Sequence, residues 1–178
     1  IDLGAYIAET IADDLSEDWA AELIYGTGSD NRVKGLTVGA KTTGISAYNP
    51  TQTLEAIVAG IKLCTGQFRR GAKIYVAQDV YDAVAFAIDD NGNFNHPAIN
   101  NQQGVSSIGP LPLLVDENLN AGDFVIANVG KYFKANMLQG LQIETDRDIN
   151  KRITVYVASQ FVASVPVPGA VVYGKKSA

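Results

Sequence analysis

The residues best suited to catalysis or metal binding are few and poorly partnered. The only histidine, His96, lies in a polar stretch directly before Pro97. Acid–base catalysis or a zinc site would need a second histidine, a cysteine or a suitably spaced acid beside it. The sequence offers none at such a spacing. We therefore interpret His96 as a loop residue and predict no catalytic residue, no cofactor and no metal site.

Two short segments resemble parts of ligand-binding loops but lack the residues that would complete them. Gly26-Thr27-Gly28 resembles a fragment of a phosphate-binding loop, which would open a helix and end in Gly-Lys-Ser/Thr. Here the segment closes a helix and no such lysine follows. Asp89-Asp90-Asn91-Gly92-Asn93 resembles a calcium loop, but the sequence that follows lacks the glutamate that such a loop needs at its far end. Both segments are predicted to be turns.

Composition and charge favour an ordinary globular protein. The 178 residues are 47% hydrophobic and 19% charged, with a net charge of −5. That length allows one large domain or two closely packed lobes. The single cysteine, Cys64, follows Leu63 in a predicted helix, so we expect a core thiol and no internal disulfide.

Basic residues form three small clusters: Arg69, Arg70 and Lys73; Lys151 and Arg152; and Lys175 and Lys176. A protein that grips nucleic acid usually presents one basic face, so these clusters are interpreted as solvated surface. No segment has the pattern of a signal peptide or a membrane span. Because the chain starts at Ile1 within a helical pattern, we expect a processed or truncated N-terminus.

Three helices are predicted in the first half of the chain. Residues 4–25 form an amphipathic helix, in which the apolar positions recur at helical spacing: Ala8, Ala12, Leu15, Trp19 and Leu23. An extended piece at 33–38 follows. A second helix spans 50–66 with Asn49 as its cap. A strand at 73–77 leads to a third helix capped by Asp79.

The second half is predicted to be mostly strands. Residues 93–107 are polar and without periodicity, which is typical of a loop. Strand-like runs follow at 111–115, 124–129, 132–135, 141–144, 153–165 and 170–173. Asp146-Arg147-Asp148 stands before the longest run, either as a solvated turn or as an inter-subunit ion pair or ligand clamp. With helices early and sheet late, the fold class is α+β.

The order of these features resembles the major capsid protein of tailed bacteriophages, the Hong Kong 97 fold. The helix end Ala21-Glu22-Leu23-Ile24-Tyr25-Gly26-Thr27-Gly28, leading to Gly35-Leu36, resembles the end of that family's spine helix. Three later segments resemble its other elements: the run Ile74 to Tyr81 with Asp89 to Gly92, then Gly109 to Leu113, then Glu144 to Asp148 with Pro168-Gly169-Ala170. The resemblance covers nearly the whole chain.

The resemblance implies an architecture of two lobes. Residues 1–45, with the end of the spine helix, and the long strands of 134–165 would form a peripheral lobe. Residues 46–133 would form an axial lobe, to which the strand in 166–178 returns. The family's N-terminal arm and extended hairpin loop would precede Ile1, so the chain would lack its N-terminal part.

The implied function is that of a structural subunit, not an enzyme, in a virion shell made in the bacterial cytoplasm. Hexamers and pentamers of the chain would enclose double-stranded DNA without sequence-specific contact, and a scaffold or maturation protease could take part. No membrane partner is implied. Some family members cross-link through a lysine, an asparagine and a glutamate. Lys151 aligns with that asparagine, one residue from Asn150, and Ala158 with the glutamate, so this chemistry is not supported.

Two alternatives stay open. One is an encapsulin, a bacterial compartment with the same fold, which an inner groove for a cargo peptide would indicate. The other is an unrelated ligand-binding or hydrolytic α+β domain, which a pocket with convergent acids of perturbed pKa would indicate.

Overall fold

A computed structural model describes residues 3–42, 44–86, 100–102, 105–148 and 151–177 of the chain. The first helix, α1, spans Leu3–Tyr25 and confirms the predicted helix. Its apolar positions Leu15, Trp19 and Leu23 are half-buried, while Glu9 and Asp13 are exposed on the opposite side. This one-sided burial is what the helical spacing of the apolar residues predicts.

The chain turns back at the end of α1 through two glycines. A Cβ atom on Gly26 would lie 2.4 Å from the carbonyl oxygen of Val33, and one on Gly35 would lie 2.5 Å from the amide nitrogen of Gly26. Only glycine allows two backbones to approach this closely. The amide nitrogen of Gly28 donates to the carbonyl oxygen of Val33 at 2.9 Å. Gly26-Thr27-Gly28 is therefore a turn, as predicted.

The predicted extended piece at 33–38 is wrong. Lys34 forms an isolated bridge with Thr27, and residues 36–39 form a turn. The amide groups of Leu36 and Thr37 donate to the carbonyl oxygens of Leu23 and Ile24. These carbonyls have no partner inside α1, because the last turn of any helix leaves its carbonyl groups free. The segment folds back against α1 because its amide groups supply the hydrogen bonds that these carbonyl groups lack.

The second helix begins one turn later than its predicted start and ends earlier. A short 3-10 turn, Pro50–Gln52, comes first, and the Asn49 side chain accepts the amide proton of Thr51 as predicted. The helix α2 then spans Thr53–Leu63 and ends before the predicted residue 66. A second 3-10 turn spans Gly66–Phe68.

A mixed sheet forms the centre of the molecule. Its strands are β1 (Lys73–Val76), β2 (Asn100–Gln102), β3 (Val105–Ile108), β4 (Leu111–Val115), β5 (Phe124–Ala127) and β8 (Val172–Gly174). Their order is β2-β3-β4-β1-β5-β8. The pair β1 and β4 is parallel and the other pairs are antiparallel. The predicted strands at 73–77 and 111–115 are confirmed.

Part of the predicted loop at 93–107 is a hairpin. Asn100 pairs with Ser107 and Gln102 with Val105, so backbone pairing next to β4 overrides the lack of an apolar pattern. Residues 93–99 and 103–104 lie outside the described residues. The predicted turn at Asp90-Asn91-Gly92 also lies outside them.

The third helix, α3, spans Gln78–Ala85, and the prediction that Asp79 caps it is wrong. Ala77 is the residue at the cap position, and Asp79 lies in the first turn. The Asp79 carboxyl oxygen accepts the amide proton of Gly122 at 3.0 Å. The Asp79 side chain therefore makes a tertiary hydrogen bond and does not cap α3.

The core lies between α2 and the sheet. Phe124 and Ile126 on β5 are 0% exposed, as is Ile57 on α2. A Cβ atom on Gly60 would lie 3.0 Å from both β5 side chains, so the absence of a side chain at Gly60 lets α2 approach the sheet closely. We call α2, α3 and this sheet the sheet body.

A long hairpin projects from the sheet body. After a short helix, α4 (Val129–Tyr132), the strand β6 (Phe133–Asp148) pairs antiparallel with β7 (Ile153–Pro166). We call this pair the ribbon. The predicted strands at 132–135 and 141–144 belong to one continuous strand that begins at Phe133, and Val129 and Tyr132 are helical rather than extended. Asp146 and Arg147 lie in β6 and not in a turn. The α+β class is confirmed.

Candidate functional site

The face of the ribbon that carries the odd-numbered residues of β7 presents a row of exposed apolar side chains. We call it the outer face. Five of its side chains are 41 to 64% exposed: Ile153, Val155, Val157, Phe161 and Val165. Alternate residues of a strand share one face, and the register shifts of the ribbon, between Met137 and Gln142, insert extra residues only into β6. The row is therefore continuous along β7.

The neighbouring row on the outer face is charged. Val155 lies opposite Asp146, Val157 opposite Glu144 and Val165 opposite Lys134. Directly paired residues point to the same side of a sheet, so an acidic end and a basic end flank the apolar row. A face of this composition is suited to binding another protein surface rather than a small ligand.

The opposite face of the ribbon is partly covered by α1. A cleft of about 480 Å³ separates the two elements, and it is lined by Leu15, Trp19 and Leu23 of α1 and by Ala135, Leu141 and Val162 of the ribbon. The indole nitrogen of Trp19 is buried there without an acceptor among the described residues. Helix and ribbon thus contact each other without close packing along their length.

The structure describes only some of the residues that the sequence singled out for chemistry. His96 and Asp89-Asp90-Asn91-Gly92-Asn93 lie outside the described residues. Cys64 is 1% exposed, and burial raises the pKa of its thiol, which is typical of an unreactive core cysteine. Among the described residues, no group of three or more His, Cys, Asp or Glu side chains is arranged to hold a metal ion.

The basic clusters lie at three separate places. Lys73 begins β1 opposite Ala127, at the end of β5 that is far from Lys175 and Lys176. Lys151 and Arg152 form the turn at the tip of the ribbon. These positions do not combine into one basic face.

The positions aligned with the family's cross-link are also separate. Lys151 is in the exposed tip, whereas Ala158 lies within β7 opposite Ile143. Asn150 lies outside the described residues.

Sequence reasoning missed a buried polar cluster at the start of β5. Asp123 is 1% exposed, and its Oδ2 atom accepts hydrogen bonds from the hydroxyls of Tyr25 at 2.8 Å and Tyr173 at 2.7 Å. The Tyr25 hydroxyl in turn accepts the amide proton of Asn120 at 2.8 Å. Tyr25 and Asp123 are 98 residues apart in the chain. The sequence does show an acid, Asp123, directly before the apolar strand β5. That position alone does not indicate that Tyr25 and Tyr173 are its hydrogen-bond partners.

Burial of a nearby tyrosine predicts a loss of stability at high pH. The hydroxyl of Tyr48 donates to the carbonyl oxygen of Gly122 at 2.7 Å. Burial, assisted by the charges of Asp79 and Asp123, raises the pKa of Tyr48 from 10.0 to about 12. The unfolded chain therefore releases this proton first, so the associated stability is complete below pH 10 and is lost as the pH rises toward 12.

We expect Tyr48→Phe to reduce the slope of stability against pH between 10 and 12. Urea unfolding of both proteins at pH 8, 10 and 11 would measure it, with the difference at pH 8 reporting the lost hydrogen bond alone. Parallel curves for the two proteins across this range would contradict the prediction.

Comparison with known proteins gives a consistent picture. The sequence profile of the phage capsid family matches residues 1–176. The capsid of an empty GTA particle has a TM-score of 0.73 at 19% identity, over 99% of this chain and 67% of that chain. A chain of Gordonia phage Cozz has a TM-score of 0.68 at 19% identity, over 97% of this chain and 62% of that chain.

A third similar structure is the holo-SrpI encapsulin complex from Synechococcus elongatus PCC 7942. It has a TM-score of 0.62 at 14% identity, over 99% of this chain and 66% of that chain. The chain thus spans about two thirds of the length of these similar chains. A comparison with curated protein sequences finds no match. At these identities the structural likeness shows a shared fold.

Proposed function

The chain belongs to the phage capsid family, and on that premise we propose that it builds the icosahedral shell of a tailed bacteriophage or prophage by contacts between copies of itself. It is a structural component of a virion. The observation that carries the proposal is the exposed apolar row of β7, from Ile153 to Val165. This row is about 40 Å long, and uncovered apolar faces of that size mark protein interaction sites. In a shell, neighbouring copies would cover it.

The proposed subunit has two lobes. The peripheral lobe would comprise residues 1–45 and 134–165, and the axial lobe residues 46–133 with 166–178. The packing of α1 against the ribbon supports the first grouping, and the pairing of β8 with β5 supports the second. Two isolated bridges join residues 41–48 to the C-terminal segment, from Lys41 to Val172 and from Tyr48 to Lys176. The boundary between the lobes would fall within this stretch.

The proposed assembly has hexamers and pentamers that enclose double-stranded DNA. The net charge of −5 and the dispersed basic clusters favour enclosure without sequence-specific contact. A scaffold or maturation protease would be a further partner, and synthesis would take place in the host cytoplasm. Among the described residues, no helix combines the length and apolar character needed to cross a bilayer.

An encapsulin-type shell is the second candidate function. The similarity to the SrpI encapsulin complex, with a TM-score of 0.62, favours it. A virus-like particle from Pyrococcus furiosus also matches, with a TM-score of 0.55 at 12% identity. An enzyme cargo purified inside the particles would indicate the compartment, whereas packaged DNA would indicate the phage shell.

The proposed role includes no enzymatic reaction. The described residues with potential chemistry are separate or buried, and Cys64 is in the core. We expect no turnover of hydrolase substrates and no stoichiometric metal in the purified protein. Bound zinc or calcium at one ion per chain, or turnover that is lost in His96→Ala, would overturn this expectation.

Assembly itself is the direct test of the proposed function. The chain spans about two thirds of the length of similar chains, so contacts that the remaining third would supply are missing from it. Because interfaces below about 1,200 Å² are typically transient, this chain alone should be mostly monomeric at micromolar concentration. When it is joined to the upstream region of a full-length family member, we expect closed particles or large sheets. Light scattering and electron microscopy on both proteins would measure the outcome. A longer protein that stayed monomeric across concentration, salt and added scaffold would remove the main support for the proposal.

A further inference from the structure

The two strands of the ribbon have free edges. In the part of the chain that the structure describes, β6 and β7 form a two-stranded sheet with no third strand on either side. The hydrogen bond that ties β7 to another described element lies near its end, where the Ser164 hydroxyl donates to the carbonyl oxygen of Lys34 at 2.7 Å. Two-stranded hairpins are only marginally stable in water, and further strands stabilise them. Each edge therefore offers a row of backbone N–H and C=O groups to another strand.

The edge of β6 has features that prevent pairing with another strand. Its charged residues are Lys134, Glu144, Asp146, Arg147 and Asp148. Register shifts between Met137 and Gln142 insert extra residues into β6, and such insertions bend a strand. Charges and bulges of this kind keep edge strands from pairing with other chains. The β6 edge is therefore protected.

The edge of β7 has none of these features. The segment from Ile153 to Val165 contains no charged residue, no proline and no glycine, and the extra residues at the register shifts lie only in β6. Its valine, isoleucine and aromatic residues favour extended structure. A free edge of this length and composition pairs readily with other chains. The contrast within one hairpin indicates that a further strand would occupy the β7 edge.

The sequence of β7 is suited to antiparallel pairing with the same strand of a second copy. If Ser159 of one copy lies opposite Ser159 of the other, Val157 lies opposite Phe161 and Ile153 lies opposite Val165. These four apolar side chains are exposed in the single chain, and cross-strand pairs of β-branched with aromatic or aliphatic residues are favourable. No like charges would meet, because the strand is uncharged. The acidic residues of the two β6 strands would lie at opposite edges of the joined sheet.

The area of such a contact predicts a weak dimer. Thirteen paired residues form an edge about 43 Å long and about 10 Å thick, which buries roughly 400 Å² on each copy. A standard interface buries about 800 Å² on each partner, and smaller ones are typically transient. Edge pairing is therefore compatible with a chain that is mostly monomeric at micromolar concentration.

We propose that the β7 strands of two copies pair antiparallel, edge to edge, about a two-fold axis at Ser159, and so join two ribbons into one four-stranded sheet. A two-fold contact of this kind uses the same surface on both copies and is the commonest symmetry of protein dimers. The pairing would join the two outer faces into one apolar surface of twice the width. It is a property of this chain in solution and does not require a closed shell.

Disulfide cross-linking of this chain in solution tests the pairing. Directly opposite residues of antiparallel strands have Cα atoms about 4.5 to 5.5 Å apart, a separation that a disulfide spans. Ser159→Cys should therefore form a covalent dimer with oxidised glutathione as the oxidant, and the native Cys64 is buried and does not compete. Val155→Cys is the matched control, since this position is exposed on the same face, but its two cysteines would be about 26 Å apart in the paired dimer. We expect its cross-link to form at least about 10-fold more slowly.

Two further measurements test the register and the edge. Val155 would lie opposite Ala163 of the second copy, so a mixture of Val155→Cys and Ala163→Cys should form a mixed dimer faster than either protein cross-links to itself. In the linked Ser159→Cys dimer, the alternate amide groups of β7 that point away from β6 should exchange with solvent at least about 10-fold more slowly than after reduction.

Three results would overturn the proposal. The first is equal cross-linking rates for Ser159→Cys and Val155→Cys, which would indicate random collision. The second is the absence of a mixed dimer, and the third is unchanged amide exchange in the linked dimer, which would indicate a contact between outer faces. These measurements use the single chain, so a longer protein that failed to form particles would leave their result unaffected.

Discussion

Charges placed on the outer face of the ribbon are expected to abolish shell formation while leaving the subunit folded. In the extended, assembling protein, we expect Val157→Glu with Phe161→Glu to yield no closed particles. Both positions are more than half exposed in the single chain, at 53 and 59%. Val157→Glu places a second acid opposite Glu144, so the change should lower the unfolding free energy by about 1 kcal/mol, which leaves the subunit folded. In a contact between copies, each glutamate would become a buried, unpaired charge.

The expected effect on assembly is large because the contact repeats in every subunit. Burying an unpaired charge costs several kcal/mol, and about 3 kcal/mol corresponds to a roughly 100-fold weaker association per contact. Electron microscopy and sedimentation would measure particle yield. Thr154→Glu is the control, since this exposed residue lies on the other face of the same strand. Particles formed by the double variant at the parent yield would show that the outer face is not a contact surface.

Removal of one core ring is expected to have the largest effect on stability. Phe124 is 0% exposed, and its ring lies 5.7 Å from that of Tyr48. Phe124→Ala should cost about 3 to 5 kcal/mol, through lost burial and the cavity left behind. For a domain of this size that corresponds to a fall of roughly 6 to 20 °C in Tm.

A second phenylalanine provides the control for this prediction. Phe161 is 59% exposed, so Phe161→Ala should change Tm by no more than about 2 °C. Calorimetry or thermal denaturation followed by circular dichroism would measure both variants. Equal shifts for the two would mean that the core is not centred on β5.

Local signals in the sequence predicted the elements whose structure depends on neighbouring residues. The spacing of Leu15, Trp19 and Leu23 predicted α1, and the Asn49-Pro50 pair predicted the start of the second helix. The run of Val, Ile, Tyr and Thr after residue 153 predicted β7. Each of these signals acts within a few residues of its own position.

The incorrect predictions share a different cause, which is competition from distant partners. The segment at 33–38 was predicted to be extended, yet the amide groups of Leu36 and Thr37 bond to the free carbonyls of α1. Asp79 was read as a helix cap, yet its carboxyl group bonds to Gly122. No local pattern shows which of two acceptable partners a polar group will take.

The candidate site was the least predictable part for the same reason. The run from Ile153 to Val165 predicts a strand but does not show whether its outer face is covered, and in the single chain that face is exposed. The Tyr25–Asp123 bond joins residues 98 positions apart. Both features depend on which elements meet in three dimensions.

The position of β8 in the chain determines when the protein can finish folding during synthesis. Val172 is 1% exposed, pairs with Ile126 and bridges to Lys41, so it joins elements made long before it. Until the ribosome has released this strand, one edge of β5 is uncovered and the backbone beside Lys41 lacks its partner. A nascent chain therefore cannot reach the folded state until nearly all of these residues have been translated. Ribosomal stalling before Val172 would leave an aggregation-prone intermediate for chaperones to hold.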